Sequence, residues 1–128
     1  MEPFRISRAK IWPNVKAALT WIDEYGDLDR DGFVEYQRKA ERGLSNQGWK
    51  DSWDSVFHED GQLAEGPIAL CEVQGYAYAA RLNGARLAGM LGDVALARSL
   101  ERGAELLRER FDKLFWLEDL QCYALALD

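Results

Sequence analysis

From Pro67 to Leu91 the sequence reads as one long helix with apolar residues around nearly all of its circumference. Ile68, Leu70, Cys71, Val73, Tyr76, Ala79, Ala80, Leu82 and Leu87 do not fall on a single stripe. A helix that is apolar all round is a buried one, so other elements must pack around it. Gly75, Ala77, Ala79 and Ala80 are small enough to let those neighbours come close. Pro67 suits the opening turn, where its missing N–H costs nothing. Gly84 marks either a bend or the end of a first part.

The flanking sequence supplies candidate neighbours. Ile11, Val15, Ala18, Leu19 and Ile22 recur at helical spacing between Lys10 and Tyr25, with Pro13 in the first turn and Gly26 as the stop. After Gly92, Asp93 is a candidate N-cap. Leu96, Leu100, Ala104, Leu107 and Phe111 then form one stripe, with Arg98, Glu101, Arg102, Glu105, Arg108 and Glu109 on the solvated side. Phe115 to Leu127 reads as the start of a further buried helix. The expectation is an all-α single domain over residues 1–128, with four main helices stacked as helical hairpins.

Between the first and second helices lies a long irregular stretch. Asp27 to Gly32 is turn chemistry, Phe33 to Tyr36 a short extended segment, Lys39 to Gly43 one helical turn, and Leu44 to Ala64 a long structured loop. Loops this long inside compact domains are uncommon and often functional.

Composition narrows the class. In a chain of 128 residues, 48% are hydrophobic and 30% charged, which predicts a folded domain. The formal net charge of −6 argues against a nucleic-acid partner, which requires a basic face. It fits a neutral ligand or a bound cation equally well. No run is long and apolar enough to predict a membrane span. Met1-Glu2-Pro3-Phe4 lacks the basic and apolar regions of a leader. Cys71 and Cys122 form neither a disulfide framework nor a zinc spacing, so they read as buried free thiols of a cytoplasmic protein. Five Trp, five Tyr and five Phe can be core, or can stack on the flat C–H faces of sugars.

Three motifs carry chemistry. The first, Asp27-x-Asp29-x-Asp31-Gly32, matches the opening of a calcium loop, with oxygen ligands at alternating positions and a glycine for the sharp turn. Its twelfth position is Arg38 where a bidentate Glu belongs, so a regulatory EF-hand is not expected. A structural calcium site on Asp27, Asp29 and Asp31, joined by Glu35, stands against a metal-free acidic turn. No cofactor is required by either reading.

The second motif, Asn46-Gln47-Gly48-Trp49-Lys50-Asp51-Ser52-Trp53-Asp54, combines amides, indoles and carboxyls. Amides suit sugar hydroxyls, and glycoside hydrolysis uses one carboxylic acid to protonate the leaving oxygen and a second carboxylate as base or nucleophile. Lys50 favours the ionised form of Asp51, so an acid role calls for burial. A helix-capping loop explains Ser52 and Asp54 equally well. In the third motif, Gly66 to Tyr76, Glu72 and Gln74 interrupt an apolar run, and Glu72 shares a face with Tyr76. A buried carboxylate must be paired, hydrogen-bonded or facing a polar cavity. Glu118 and Asp119 pose the same choice. His58, the only histidine, reads as a surface residue.

Taken together and in order, these motifs resemble bacterial amylo-α-1,6-glucosidase-like proteins, the glycogen-debranching-like (α/α)6-toroid glycoside hydrolases. The residues carrying the resemblance are Trp12-Pro13, Ala18-Leu19-x-Trp21-Ile22, Tyr25-Gly26-Asp27, Asp31 to Tyr36, Gly43-Leu44-x-Asn46 to Ser52-x-Asp54, Gly66 to Tyr76, and Phe115-Trp116-x-Glu118-x-Leu120 through Tyr123 to Asp128. The similarity covers nearly all of the chain after Ile11.

The resemblance implies part of a six-hairpin toroid and inverting hydrolysis of an α-glucosidic bond in an α-glucan or oligosaccharide. It implies Asp51 as general acid, with Asp54 as the other candidate because Lys50 intervenes. Asn46, Gln47, Trp49 and Glu72 would line the sugar pocket, and Glu35, Tyr36 and Arg38 would come from the loop at its mouth. Twelve helices of ordinary length need about three times this chain. The family's base lies in the C-terminal part of the toroid, so an inactive isolated chain is expected, completed by a homo-oligomer or a complementing chain. Met1 to Arg8 does not resemble the family's preceding hairpin.

Overall fold

A computed structural model describes residues 7–128. The expectations for Met1 to Phe4, and for all but the end of the Met1–Arg8 segment, lie outside the described residues. The described chain is predominantly helical. It contains α1 (Arg8–Glu24), β1 (Ala69–Leu70), α2 (Cys71–Met90), α3 (Val94–Leu114), β2 (Trp116–Leu117), β3 (Cys122–Tyr123) and β4 (Ala126–Leu127).

α2 and α3 form a helical hairpin. Gly92, at φ +84°, turns the chain after α2, a conformation that costs glycine little. Asp93 then caps α3 as its sequence predicts, accepting a hydrogen bond from Leu96 N at 3.2 Å. The helices run antiparallel: Ala88 packs near Ala97, Ala85 near Leu100, and Ala77 near Leu107. α1 lies along this pair through Trp12, Leu19 and Ile22. Gly84 neither bends nor ends α2. It is buried under α1, where an added Cβ would lie 2.7 Å from Leu19 Cδ1.

The α3 stripe faces the core as its spacing predicts, with Leu100, Ala104 and Leu107 buried. α2 departs from expectation. Its inward face is made of Gln74, Ala77, Gly84, Ala85 and Ala88, while Tyr76, Ala79, Asn83, Arg86 and Met90 form an exposed stripe. Ile11 and Ala18 of α1 are likewise exposed.

The expected helix over Phe115–Leu127 does not form. β2 and β3 pair as a small antiparallel hairpin, Trp116 with Tyr123 and Leu117 with Cys122. β4 then pairs antiparallel with β1, Ala69 with Leu127 and Leu70 with Ala126. Local helical spacing gives way here to aromatic packing. Phe115 is fully buried, stacked on Phe111 at 4.5 Å and edge-on to Phe33 at 5.2 Å. Tyr123 reaches back to donate to Asp112 Oδ1 at 3.0 Å.

The same β pairing moves the start of α2. Pro67 does not open the helix, because Ile68 bridges Tyr36 and Ala69–Leu70 pairs with β4. α1 starts earlier than expected, so Pro13 sits in its second turn. Lys39–Gly43 is a turn closed by Gly43 N donating to Ala40 O, not a helical turn. Cys71 is half-buried and Cys122 exposed, so the expectation of two buried thiols fails for Cys122. No helix among the described residues is long and apolar enough to cross a membrane.

Candidate functional site

The long loop is ordered by a few specific bonds. Tyr36, in the extended segment beside Ile68, donates its hydroxyl to Asn46 Oδ1 at 2.9 Å. Asn46 is buried and its Nδ2 donates to Ser52 O at 2.7 Å. Ser55 Oγ donates to Lys50 O at 2.6 Å. Further along, Phe57 bridges Leu63, and Val56 packs into a small core with Ile68 and Leu70. Burial pushes the Tyr36 hydroxyl above the usual tyrosine range, against the opposing pull of the Gln47 N–H. Asn46 and Tyr36 thus spend their polar groups mainly on holding the loop.

This scaffold brings several predicted residues together. Tyr36, Arg38 and Asn46 line a cleft of about 300 Å³ with Trp53 and Ser45, and Arg38 Nη1 lies 3.4 Å from Ser45 Oγ. Ser45 is not singled out from sequence; Trp53 reads there as one of the two stacking indoles of its motif, though not placed in the pocket.

A second group sits where the loop crosses the start of α2. Gly48 presses against the Leu70 side chain, and an added Cβ there would lie 3.6 Å from Glu72 Oε1. Glu72 is half-buried; Gln47, Trp49, Asp51 and Asp54 are exposed. Trp49 is 71% exposed, with Lys50 Nζ 5.3 Å from its ring centre. Asp51 therefore lacks the desolvation that an acid role calls for, as far as the described residues supply it.

The acidic turn is a third group. Asp27, Asp29 and Glu35 each place a carboxylate oxygen within 4.8 Å of the other two. Glu35 Oε2 accepts from Leu28 N and Asp29 N, at 3.0 and 3.3 Å. Asp31 is not part of this cluster; its Oδ1 accepts from Phe33 N. Glu35, given by resemblance to the sugar pocket and read from the acidic motif as a partner of the aspartates, lies in the carboxylate cluster. Burial pushes both Asp31 and Glu35 up, and the neighbouring aspartates push the same way against backbone hydrogen bonds. Asp27 Oδ2 accepts from Gly32 N, while its buried Oδ1 meets no donor among the described residues. Three converging carboxylates of this kind can hold a hard cation.

His58 is exposed but has a partner: its Nε2 lies 2.8 Å from Asp128 Oδ2, which also accepts from Glu65 N. Neither a known family model nor a curated protein matches the chain.

Proposed function

We propose that this chain is an α-glucan-binding part of a glycoside hydrolase of the α-1,6-glucosidase, debranching type. The observation that carries this reading is the pair of exposed indoles on one polar loop, Trp49 at 71% and Trp53 at 70%, the second of them lining the cleft of Tyr36, Arg38 and Asn46. Exposed rings on a pinned loop are suited to stacking against sugar faces. The ordered set of sequence motifs supports the same substrate class and the toroid architecture. The α2–α3 hairpin is the kind of unit such a toroid repeats.

In this reading Asp51 protonates the leaving oxygen, and Asp54 is the second candidate. The inverting reaction requires a base on the opposite face of the sugar. A second copy or a complementing chain would supply it, and would bury Asp51 as it closed the pocket. The exposed stripe of α2, with Tyr76 at 69% and Met90 at 65%, favours such a partner. A cytoplasmic setting fits the two free thiols.

The test is hydrolysis of maltose, isomaltose and a branched limit dextrin, alongside Asp51→Asn. Turnover by the isolated chain that disappears in the variant would mean an oligomer or another carboxylate completes the site. No turnover, with glucan binding retained, makes the chain a binding part that needs its complement. Neither turnover nor quenching of tryptophan fluorescence by any α-glucan overturns the reading.

A second reading, a helical module stabilised by structural calcium, is favoured by the unpartnered Asp27 Oδ1 beside Asp29 and Glu35. Calcium at that cluster would stiffen the turn and take no part in hydrolysis.

A further inference from the structure

α1 is apolar on two faces. Trp12, Val15, Leu19 and Ile22 turn inward against α2 and α3. Ile11, Ala18, Trp21 and Tyr25 are exposed, and their spacing of seven, three and four places them along a second face. A surface helix with one buried stripe ordinarily carries polar residues elsewhere. Here the second stripe holds two large rings, Trp21 53% and Tyr25 63% exposed, of the types enriched where proteins meet. The charges beside it have a direction. Lys10 stands near the start of the stripe and Glu24 near its end, both exposed and neither ion-paired among the described residues.

We infer that this face of α1 docks a second copy of the chain, the two α1 helices lying antiparallel across a two-fold axis beside Ala18. A two-fold contact is self-complementary, so paired residues share one midpoint along the helix. Ile11 and Tyr25 are equally far from Ala18, and Lys10 and Glu24 are equally far from its neighbour Ala17. Antiparallel pairing therefore sets Ile11 against Tyr25 of the second copy and Lys10 against Glu24 of the second copy, twice over. Parallel pairing would set like charges together at both ends. Ala18, at the axis, is small enough to let the helices approach closely. An aromatic ring brings about 150–250 Å² when fully buried. With more than half of each ring still to cover, four rings and the Ile11 pair approach the floor of about 1,000 Å² for a specific interface. A contact of that size makes a reversible dimer, not an obligate one. The face is separate from the α2 stripe and from the loop with Trp49 and Trp53, so the inference does not rest on the glucan reading.

The experiment is sedimentation equilibrium of the whole chain from about 5 to 500 μM. A monomer–dimer equilibrium within that range is expected. Ala18→Glu sets two like charges at the axis and should weaken the dimer by about tenfold or more, with the helical circular dichroism retained. Lys10→Glu should weaken it by about threefold, and adding Glu24→Lys to the same chain should restore it. Tyr76→Glu, on the α2 stripe, should leave the dissociation constant unchanged. The charge exchange keeps the apolar stripe intact, so it decides the matter if Ala18→Glu does not fold. A chain that stays monomeric throughout overturns the inference. So does a dimer that withstands Ala18→Glu, one that yields to Tyr76→Glu, or one that the charge exchange fails to restore.

Discussion

Gln74 grips Val34 from both sides: its Oε1 accepts from Val34 N at 2.8 Å and its Nε2 donates to Val34 O at 2.7 Å. The same Nε2 also donates to Leu70 O at 3.0 Å. The side chain is 1% exposed, so these bonds are shielded from water. One amide on α2 thereby serves as a strand edge for the extended segment and fixes Phe33 in the core. Gln74→Leu keeps the apolar volume but leaves the Val34 N–H and C=O unpaired. We expect a loss of about 2–4 kcal/mol in urea denaturation, with earlier proteolysis after Val34. A loss below about 0.5 kcal/mol would show that the segment is held by Phe33 alone.

Gly32 answers two constraints together. Its φ of +96° is one that L side chains rarely adopt, and its Cα faces the Arg110 guanidinium. Gly32→Ala should destabilise by about 2 kcal/mol. In an Arg110→Ala background the steric part disappears and the backbone part remains, so the two changes will not be additive. Additivity in thermal melts would place the whole cost in the backbone.

Much of this fold was legible because its signals are local. The α3 stripe, the Asp93 cap and the Gly92 stop are set by residues within a turn or two of each other. Phe33 to Tyr36 reads as extended from its own sequence. The missed parts depend on distant partners. Phe115–Leu127 carries enough apolar residues for a buried helix, but β1 lies far away in sequence and offers Leu127 and Ala126 a ladder. The β1–β4 pairing also displaces the start of α2. At the candidate site, the family resemblance, not spacing, names Tyr36, Arg38 and Asn46, which the fold brings to one cleft; Glu35, named both for that pocket and as a partner of the aspartates, lies with Asp27 and Asp29, a convergence that depends on the fold of the turn. The pairing of His58 with Asp128 has no local signal at all.

Repulsion within the acidic turn makes a pH prediction. Glu35 and Asp31 sit above their ordinary values, first by burial and then by their aspartate neighbours. A raised carboxylate favours folding fully below its unfolded value and loses that contribution as pH rises through the folded value. Glu35→Gln keeps an oxygen for Leu28 N and Asp29 N but removes one charge. It should raise stability at neutral pH, by less than about 1 kcal/mol, and have little effect in acid. If the cluster binds calcium, millimolar calcium will raise the wild-type melting temperature and leave Glu35→Gln unmoved. No calcium shift in either protein removes the cation reading.

Asp128 behaves in the opposite sense. Burial pushes its carboxyl up, but the Glu65 N–H, the His58 hydrogen bond and the His58 charge outweigh it and hold the group low. Its contribution is therefore present above the unfolded aspartate value and lost as pH falls through the folded one. Asp128→Asn should flatten the acid limb of the stability curve and speed amide exchange at Glu65 and His58, while leaving α1 to α3 protected. An acid limb identical to wild type would mean that the pair does not tie the loop down.

The glucan reading separates from stability at Trp49. The ring is 71% exposed and its recorded partner is Lys50, itself on the surface. Trp49→Ala should therefore change unfolding free energy by no more than about 0.5 kcal/mol. A ring that stacks on sugar contributes far more to binding than to folding, so α-glucan affinity should fall about tenfold, measured by isothermal calorimetry. Trp53→Ala should weaken binding too, with an added stability cost because Trp53 lines the cleft beside Val56. Equal affinity in wild type and Trp49→Ala would move the sugar contact off the loop and into the cleft. A loss of stability matching the loss of binding would instead mark Trp49 as a docking residue for a partner chain.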